Sequence, residues 1–227
     1  MSDAKIILPL VGVFVGWLLA QLSGIVRERL NRRRVRRCLL EELHELRIQL
    51  DLMLLQYARQ LQMHALQGID NNVPLPLSNH IFKNFYKDAV LSLNQAQRIS
   101  YQMIHSHLDQ INRGIVEQRE IARKTNEKAI TQGSASIDPS DGQYWGHTVI
   151  AGFVNAATAL WHVNNHLDQP RRPDLSLNSS KHQKYLQYQQ NVADKIKEIT
   201  DAAKTLSRAD FERLYRPEDF LNKALNQ

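Results

Sequence analysis

Two histidines in the segment "WHVNNH" have the spacing best suited to metal chemistry. His162 and His166 are four positions apart, so on a helix they face the same way, as paired metal ligands must. Asp168 is near enough in sequence to serve as a third ligand. Two histidines without a glutamate-bearing motif are, however, more typical of hydrogen-bonded polar residues at the end of a buried helix. We therefore expect no metal and no cofactor, and a metal-dependent enzyme using His162 and His166 is kept as a second alternative.

Other patterns that could support catalysis are incomplete. His105 and His107 are two positions apart and fall on different sides of a helix. His44 and Glu45 begin like a zinc-protease motif, but Ile48 stands where the second histidine should be. The sequence has no phosphate-binding glycine loop and no nucleophile elbow. These observations predict a protein that is not an enzyme.

The elements that carry these residues are expected to be helices. The chain has 227 residues, of which 43% are hydrophobic and only nine are glycine and seven proline. Long stretches rich in Leu, Gln, Lys, Arg, Glu and Ala favour helix over sheet. The single cysteine, Cys38, cannot form an intrachain disulfide, which agrees with a reducing compartment. The predicted fold class is all-α.

An apolar segment near the start of the chain predicts a transmembrane helix. Residues 6–26 are 21 residues without a formal charge. At about 1.5 Å per residue they would extend ~30 Å, the thickness of one hydrocarbon core. A cleaved signal peptide is the competing interpretation, but only Lys5 supplies a base before the segment. We expect a retained anchor, with residues 1–5 as a short extracytoplasmic N-terminus.

A basic tract follows the apolar segment directly. Residues 27–37 form this juxtamembrane tract, which holds seven arginines and one acidic residue, Glu28. Without them, the totals of 29 basic and 23 acidic residues fall to 22 of each. The net charge of +6 therefore belongs to this tract alone. The arginines are Arg27, Arg29, Arg32, Arg33, Arg34, Arg36 and Arg37.

Membrane topology is the simplest explanation for such a tract. By the positive-inside rule it holds the C-terminal side in the cytoplasm and contacts anionic headgroups. No aromatic residue alternates with the arginines to stack bases, so a nucleic-acid partner is not expected. The predicted location is a bacterial inner (plasma) membrane, crossed once, with the N-terminus outside. Anionic lipid is the expected partner of the tract.

A small residue recurs at every fourth position of the apolar segment. Gly12, Gly16, Ala20 and Gly24 would form a shallow groove where a second backbone can approach closely. Glycine is also simply common in membrane helices, which is the alternative explanation. We expect a homo-oligomer assembled through this stripe.

Residues 38–227 are predicted to form a cytoplasmic helical domain with loops near 68–78, 132–143 and 168–180. A heptad seam opens the domain and indicates that the anchor helix continues beyond the membrane to about Gly68. Whether the seam meets a partner chain or a later helix of the same chain stays open, with the intrachain core favoured. Its members are Leu39, Leu43, Leu46, Leu50, Met53 and Tyr57.

Later helices follow from capping residues and apolar periodicity. Ser78 can cap a second helical region, and a third extends from Ala96 to about Ile130 on a face of Ile99, Met103, Ile111, Ile115 and Ala122. The apolar run 149–163 has only 15 residues and no basic flank, which favours a buried central helix over a second membrane crossing. Another helix is expected from Lys181, and two short ones after Ser207.

The layout resembles that of many uncharacterised bacterial proteins with one N-terminal anchor, an arginine-rich flank and a helical cytoplasmic domain. Some of those proteins serve in stress or phage-defence loci. The resemblance covers the architecture of the whole chain and carries no functional residues with it. It implies a membrane-anchored interaction or scaffold protein that binds an unidentified protein partner. A membrane-disrupting effector, whose anchors rearrange when a ligand or partner binds, is the first alternative.

Overall fold

The computed structural model describes residues 3–132, 137–207, 209 and 211. Within these ranges, side chains are described from residue 14 onward, except that of residue 132. Every regular element in these ranges is helical, which confirms the predicted all-α bundle. A 3-10 turn, Val90–Ser92, follows the second helix. The α-helices are α1 (Asp3–Ala65), α2 (His80–Ala89), α3 (Gln95–Gln132), α4 (Pro139–Asp168) and α5 (Ser180–Lys204).

The other three long helices, α1, α3 and α5, all run in the direction opposite to α4. His64 packs on Trp145, so the end of α1 meets the start of α4. Ser100, near the start of α3, bonds to His166 near the end of α4. The ring of Trp161, near the end of α4, packs against that of Tyr185, near the start of α5, with 4.7 Å between the centroids. Helix α4 therefore runs antiparallel to α1, α3 and α5.

Small residues allow α1 to approach α4 closely. Gly152 has the ring of Tyr57 where a Cβ atom would lie, only 2.4 Å away. Gly146 meets the imidazole of His64 in the same way, at 2.0 Å. Ala156 and Ala159 continue the small face and are fully buried. The prediction of a buried central helix over 149–163 is thus confirmed.

Helix α1 continues from the apolar segment into the bundle as predicted. It ends at Ala65, three residues before Gly68, and residues 66–79 form the expected first loop. All six residues of the heptad seam are at most 3% exposed. They lie in the core that α1 forms with helices of its own chain.

One predicted boundary needs correction. The loop expected over 132–143 ends earlier, because α4 already begins at Pro139. The Asp138 side chain accepts a hydrogen bond from the amide of Ser140, at 2.9 Å, and proline suits the first helical position. The third predicted loop, 168–180, agrees with the end of α4 at Asp168 and the start of α5 at Ser180.

The buried face of α3 is also shifted from the predicted one. Ile99 is 39% exposed and Met103 only half-buried, although both were expected in the core. Tyr101, Ile104 and Leu108 take that place. Beyond them the predicted residues Ile111, Ile115 and Ala122 are buried. The short helices predicted after Ser207 fall on Asp210 and residues 212–227, which lie outside the described residues.

Ser78 does not cap the second helix. The N-cap residue of α2 is Asn79, whose side chain makes no capping hydrogen bond. The carboxylate of Glu42, from the middle of α1, takes over this role: Oε1 accepts from the amide of Ile81 at 2.7 Å and Oε2 from that of Phe82 at 3.0 Å. A tertiary contact thus replaces the local cap.

Candidate functional site

The first part of α1 extends from the bundle without packing on it. Every side chain from residue 14 to residue 31 is exposed, and Val35 is the first buried one. We call residues 14–31 the arm. The large hydrophobic side chains exposed on the arm are Phe14, Val15, Trp17, Leu18, Leu19, Leu22, Ile25, Val26 and Leu30.

The predicted transmembrane segment overlaps this arm. Within the part of the chain that the structure describes, no helix has an apolar stretch long enough to cross a membrane. The side chains of residues 6–13, the first eight of the 21 in the segment, lie outside that part. The membrane segment 6–26 stays a prediction.

The small-residue stripe faces open space. A Cβ atom added at Gly16 or Gly24 would have no neighbour within 4 Å, and Ala20 is exposed. The side-chain position of Gly12 lies outside the described residues. No part of the chain's own bundle therefore fills the stretch from Gly16 to Gly24, and a second backbone has room to approach there.

The arginine tract overlaps the last residues of the arm and leads into the bundle. Arg27, Arg29, Arg33, Arg34 and Arg37 are exposed. Arg32 is half-buried and forms an ion pair with Glu28 one turn earlier, and Arg36 is half-buried as well. Most of the positive charge of the tract is thus exposed on the surface of the helix.

A buried polar cluster follows, at the junction of α1, α2 and α3. The side chains of Glu42 and His105 are 5% and 3% exposed, with 3.9 Å between the carboxylate and Nε2. Asn79 Nδ2 donates to His105 Nδ1 at 3.3 Å, which places the imidazole proton on Nε2, toward the carboxylate. The ring of Phe82 stacks on the imidazole, 3.6 Å between centroids. The cluster fixes α2 against both long helices.

Burial sets the charge states in this cluster. It lowers the pKa of His105 to about 3, so the imidazole is neutral at physiological pH. Burial also raises the pKa of Glu42, although hydrogen bonds from the amides of Ile81 and Phe82 act in the opposite direction. A neutral imidazole and a carboxylate occupied with two backbone amides describe a structural joint better than an acid–base pair.

The two histidines considered for metal binding have separate partners. His166 is fully buried, and its Nδ1 lies 2.8 Å from the hydroxyl of Ser100. His162 stacks on His107, two turns farther along α3, with 5.8 Å between ring centroids. Asp168 is ion-paired with Lys181 at 3.0 Å. The structure does not bring the three residues together as ligands.

Burial also keeps these imidazoles uncharged. It lowers the pKa of both His162 and His166 to about 4, and His107 adds to the effect at His162. Among the described residues, no group of three or more His, Cys, Asp or Glu side chains is placed to hold a metal ion. In the structure His166 is thus a buried neutral histidine that is hydrogen-bonded to Ser100, and His162 is a buried neutral histidine that stacks on His107.

The remaining sequence candidates are scattered. His105 faces α2 while His107 faces α4, as their spacing predicted. His44 is exposed. Cys38 is a half-buried free thiol in the cleft between α1 and α2. The structure places these residues at separate points of the bundle.

The capping role of Glu42 is the feature that sequence reasoning missed. Its only signal is an acidic residue between two members of the heptad seam, Leu39 and Leu43, at a position that the bundle buries.

No family model, no curated protein and no solved structure matches this chain.

Proposed function

We propose that this protein is a membrane-anchored helical interaction protein, in which residues 6–26 cross a bacterial inner membrane once and the bundle lies on the cytoplasmic side. The function is to hold a rigid helical surface at the bilayer for an unidentified protein partner. The single observation that carries the proposal is the arm, an apolar helix that the chain's own bundle leaves uncovered.

The arm's exposure supports a lipid environment on energetic grounds. Burying a large apolar side chain is worth about 1.5–3 kcal/mol, so nine exposed ones in water are a substantial penalty. The arm also belongs to the same uninterrupted helix as the bundle, which makes it a stiff extension. Lipid would remove the penalty, and the arginine tract marks the side that stays in the cytoplasm.

Self-association through the small-residue stripe is the second part of the proposal. In lipid, helices associate by close backbone packing because no hydrophobic force drives them together. Gly16, Ala20 and Gly24 leave the space that such packing needs. Association would place several bundles side by side at the membrane surface, as a scaffold requires.

Topology is tested by reporter fusions to the full chain. A reporter active only in the cytoplasm should work when it is fused after Gln227, because the arginines lie C-terminal to the apolar segment. A periplasm-only reporter at that position should be silent. Activity of the periplasmic reporter would overturn the proposed orientation, and recovery of the full chain in the soluble fraction would overturn the anchor.

Self-association is tested by crosslinking in membranes. Gly16→Ile places a branched side chain where another backbone should lie, and crosslinked oligomers should decrease. Leu18→Ile keeps the same chemistry off the stripe and serves as the matched control. Equal crosslinking of both variants and the wild type would exclude the stripe as the contact.

A further inference from the structure

One end of the bundle is formed by a turn and a loop that hold each other. The turn after α2 leads into α3 at residues 90–94, and the loop after α4 covers residues 169–174. Asn94 Nδ2 donates to the carbonyl of Arg171 at 2.6 Å. Gln97 Nε2 donates to the carbonyl of Pro170 at 2.7 Å. We call these two segments the base.

The base lies at the end from which the arm emerges. Glu42 binds the first amides of α2, and α2 then runs back along α1 toward the arm. A cleft of about 380 Å³ between the two helices is lined by Asn31 and Arg34 of α1 and by Phe85 and Asp88 of α2. The C-terminal end of α2 therefore reaches the level of Asn31, where the arm ends.

This level is close to the proposed membrane boundary. Asn31 is five residues beyond Val26, the last residue of the apolar segment. At about 1.5 Å per residue the separation along α1 is ~8 Å. The headgroup layer on each side of a bilayer is roughly 5–7 Å thick. The level of Asn31 and Asp88 is thus about 1 Å outside that layer, and the 3-10 turn at Val90–Ser92 follows Asp88 by only two to four residues.

The chemistry of the base suits such a surface. Leu91, in the 3-10 turn, is 80% exposed to solvent. Arg171 and Arg172 are exposed in the loop that binds Asn94, three residues beyond Leu91, and Lys87 and Asp88 are exposed one turn before Leu91. An exposed apolar side chain near two exposed arginines is the pattern of a segment that binds the interface of an anionic bilayer.

Building on the proposed anchor, we infer that the base is a second membrane contact, in which Leu91 enters the headgroup layer and Arg171 and Arg172 bind anionic headgroups. The bundle then rests on the bilayer instead of standing away from it on a single helix. A rigid α1 and a base fixed by side-chain-to-carbonyl hydrogen bonds would hold it in one orientation.

The test measures where position 91 lies when the full chain is in a bilayer. A Cys38→Ser chain carrying Leu91→Cys is labelled with an environment-sensitive fluorophore and placed in vesicles of equal parts phosphatidylcholine and phosphatidylglycerol. A lipid with a spin label on its headgroup serves as quencher. Matched labels at Ile130→Cys, 82% exposed near the far end of α3, and at Leu18→Cys, in the apolar segment, complete the set.

The expected result is a blue-shifted emission and loss of fluorescence at position 91 on addition of the quencher lipid, with neither at position 130. If position 91 behaves like position 130 while position 18 reports lipid, the inference fails and the anchor stands. If position 18 also reports water, the proposed function fails as well.

The role of the arginines is tested on the same labelled chain. Arg171→Glu with Arg172→Glu reverses the charge of the loop but leaves its carbonyls bound to Asn94 and Gln97. Quenching at position 91 should decrease, as it should for wild-type arginines in vesicles of phosphatidylcholine alone. Unchanged quenching in both cases would overturn the contact between the arginines and anionic lipid.

Discussion

The arm and the bundle portion of α1 are two stretches of one helix with opposite relations to their surroundings. Residues 14–31 expose every side chain, whereas Leu39, Leu43, Leu46 and Leu50 are all fully buried. The same helical backbone serves both stretches without a break. In the bundle, other helices of the same chain cover the apolar residues of α1. On the arm, no other helix of the described chain covers them.

The pattern of apolar residues explains the difference. In the bundle portion they follow a heptad seam with polar residues between them, so one face is buried and the other is hydrated. In residues 14–26 of the arm, apolar residues lie on all sides of the helix. A helix that is apolar all round needs an apolar environment on all sides, and helices packed on one face cannot supply it.

The largest expected effect comes from placing charge on the arm. Leu18→Arg with Leu22→Arg adds two cations one turn apart within the proposed transmembrane segment. Each costs about 2.5–3.5 kcal/mol at the centre of a membrane helix. The variant should lose resistance to alkaline extraction from membranes, while its thermal unfolding midpoint in detergent should equal that of the wild type.

The bundle portion of α1 offers a matched control. Ile48 and Leu52 are also one turn apart and are 59% and 57% exposed. Ile48→Arg with Leu52→Arg should leave membrane extraction unchanged. If both double variants are extracted equally, the arm has no special relation to lipid and the comparison fails.

The next largest effect is expected from acid, and it concerns the bundle alone. Burial lowers the pKa of His162 and His166 from 6.5 to about 4 in the folded chain. Between these values the unfolded chain binds more protons, so the stability from neutral imidazoles is fully present above pH 6.5 and is lost as pH falls toward 4. The loss is on the order of several kcal/mol. The unfolding midpoint should fall steeply over this range.

A histidine variant separates this effect from general acid sensitivity. His162→Gln removes one of the titrating groups and should make the decrease in unfolding midpoint between pH 6.5 and 4 shallower. Glu42 acts in the opposite direction, because burial raises its pKa and its contribution is lost as pH rises. A midpoint that is constant over this pH range would contradict the burial of neutral histidines.

The sequence predicted the helices better than their contacts. The periodicity of α1 gave its continuation and its buried seam, since a heptad pattern depends only on local spacing. It missed the start of α4 at Pro139, where the run of Gly, Ser and Asp looked like a loop. It also misplaced part of the buried face of α3, where Tyr101 packs against Phe82 of α2 and His166 of α4 while Ile99 stays exposed.

The candidate site shows the same division. The arm, the stripe and the arginine tract are contiguous in sequence and could be identified by inspection. The Glu42 joint involves residues about 40 positions apart, and the base brings together segments separated by more than 70. No local pattern encodes such pairs, so only the folded chain reveals them.

A smaller effect is expected where α1 and α4 approach closely. Gly152→Ala would place a methyl group 2.4 Å from the ring of Tyr57, and the two helices would have to separate. Such overpacking typically costs about 1–3 kcal/mol. Gly114→Ala is the matched control on α3, because a Cβ atom there meets nothing within 4 Å. Thermal unfolding in detergent should show a lower midpoint for Gly152→Ala and an equal or higher one for Gly114→Ala.

The smallest effect tests the Glu42 joint between α1 and α2. Glu42→Gln leaves one oxygen to accept from Ile81 or Phe82 and turns an amide donor toward the other N–H. Loss of a helix cap costs about 0.5–2 kcal/mol, and here the loss is confined to α2. Hydrogen exchange at these two amides should accelerate, while exchange in the middle of α4 should stay unchanged.

Glu45→Gln is the matched control, because Glu45 is exposed and lies three residues after Glu42 on α1. This variant should change neither exchange rate. Uniform acceleration across the bundle would mean that Glu42 supports the whole core, and no change at all would mean that α2 does not depend on this cap.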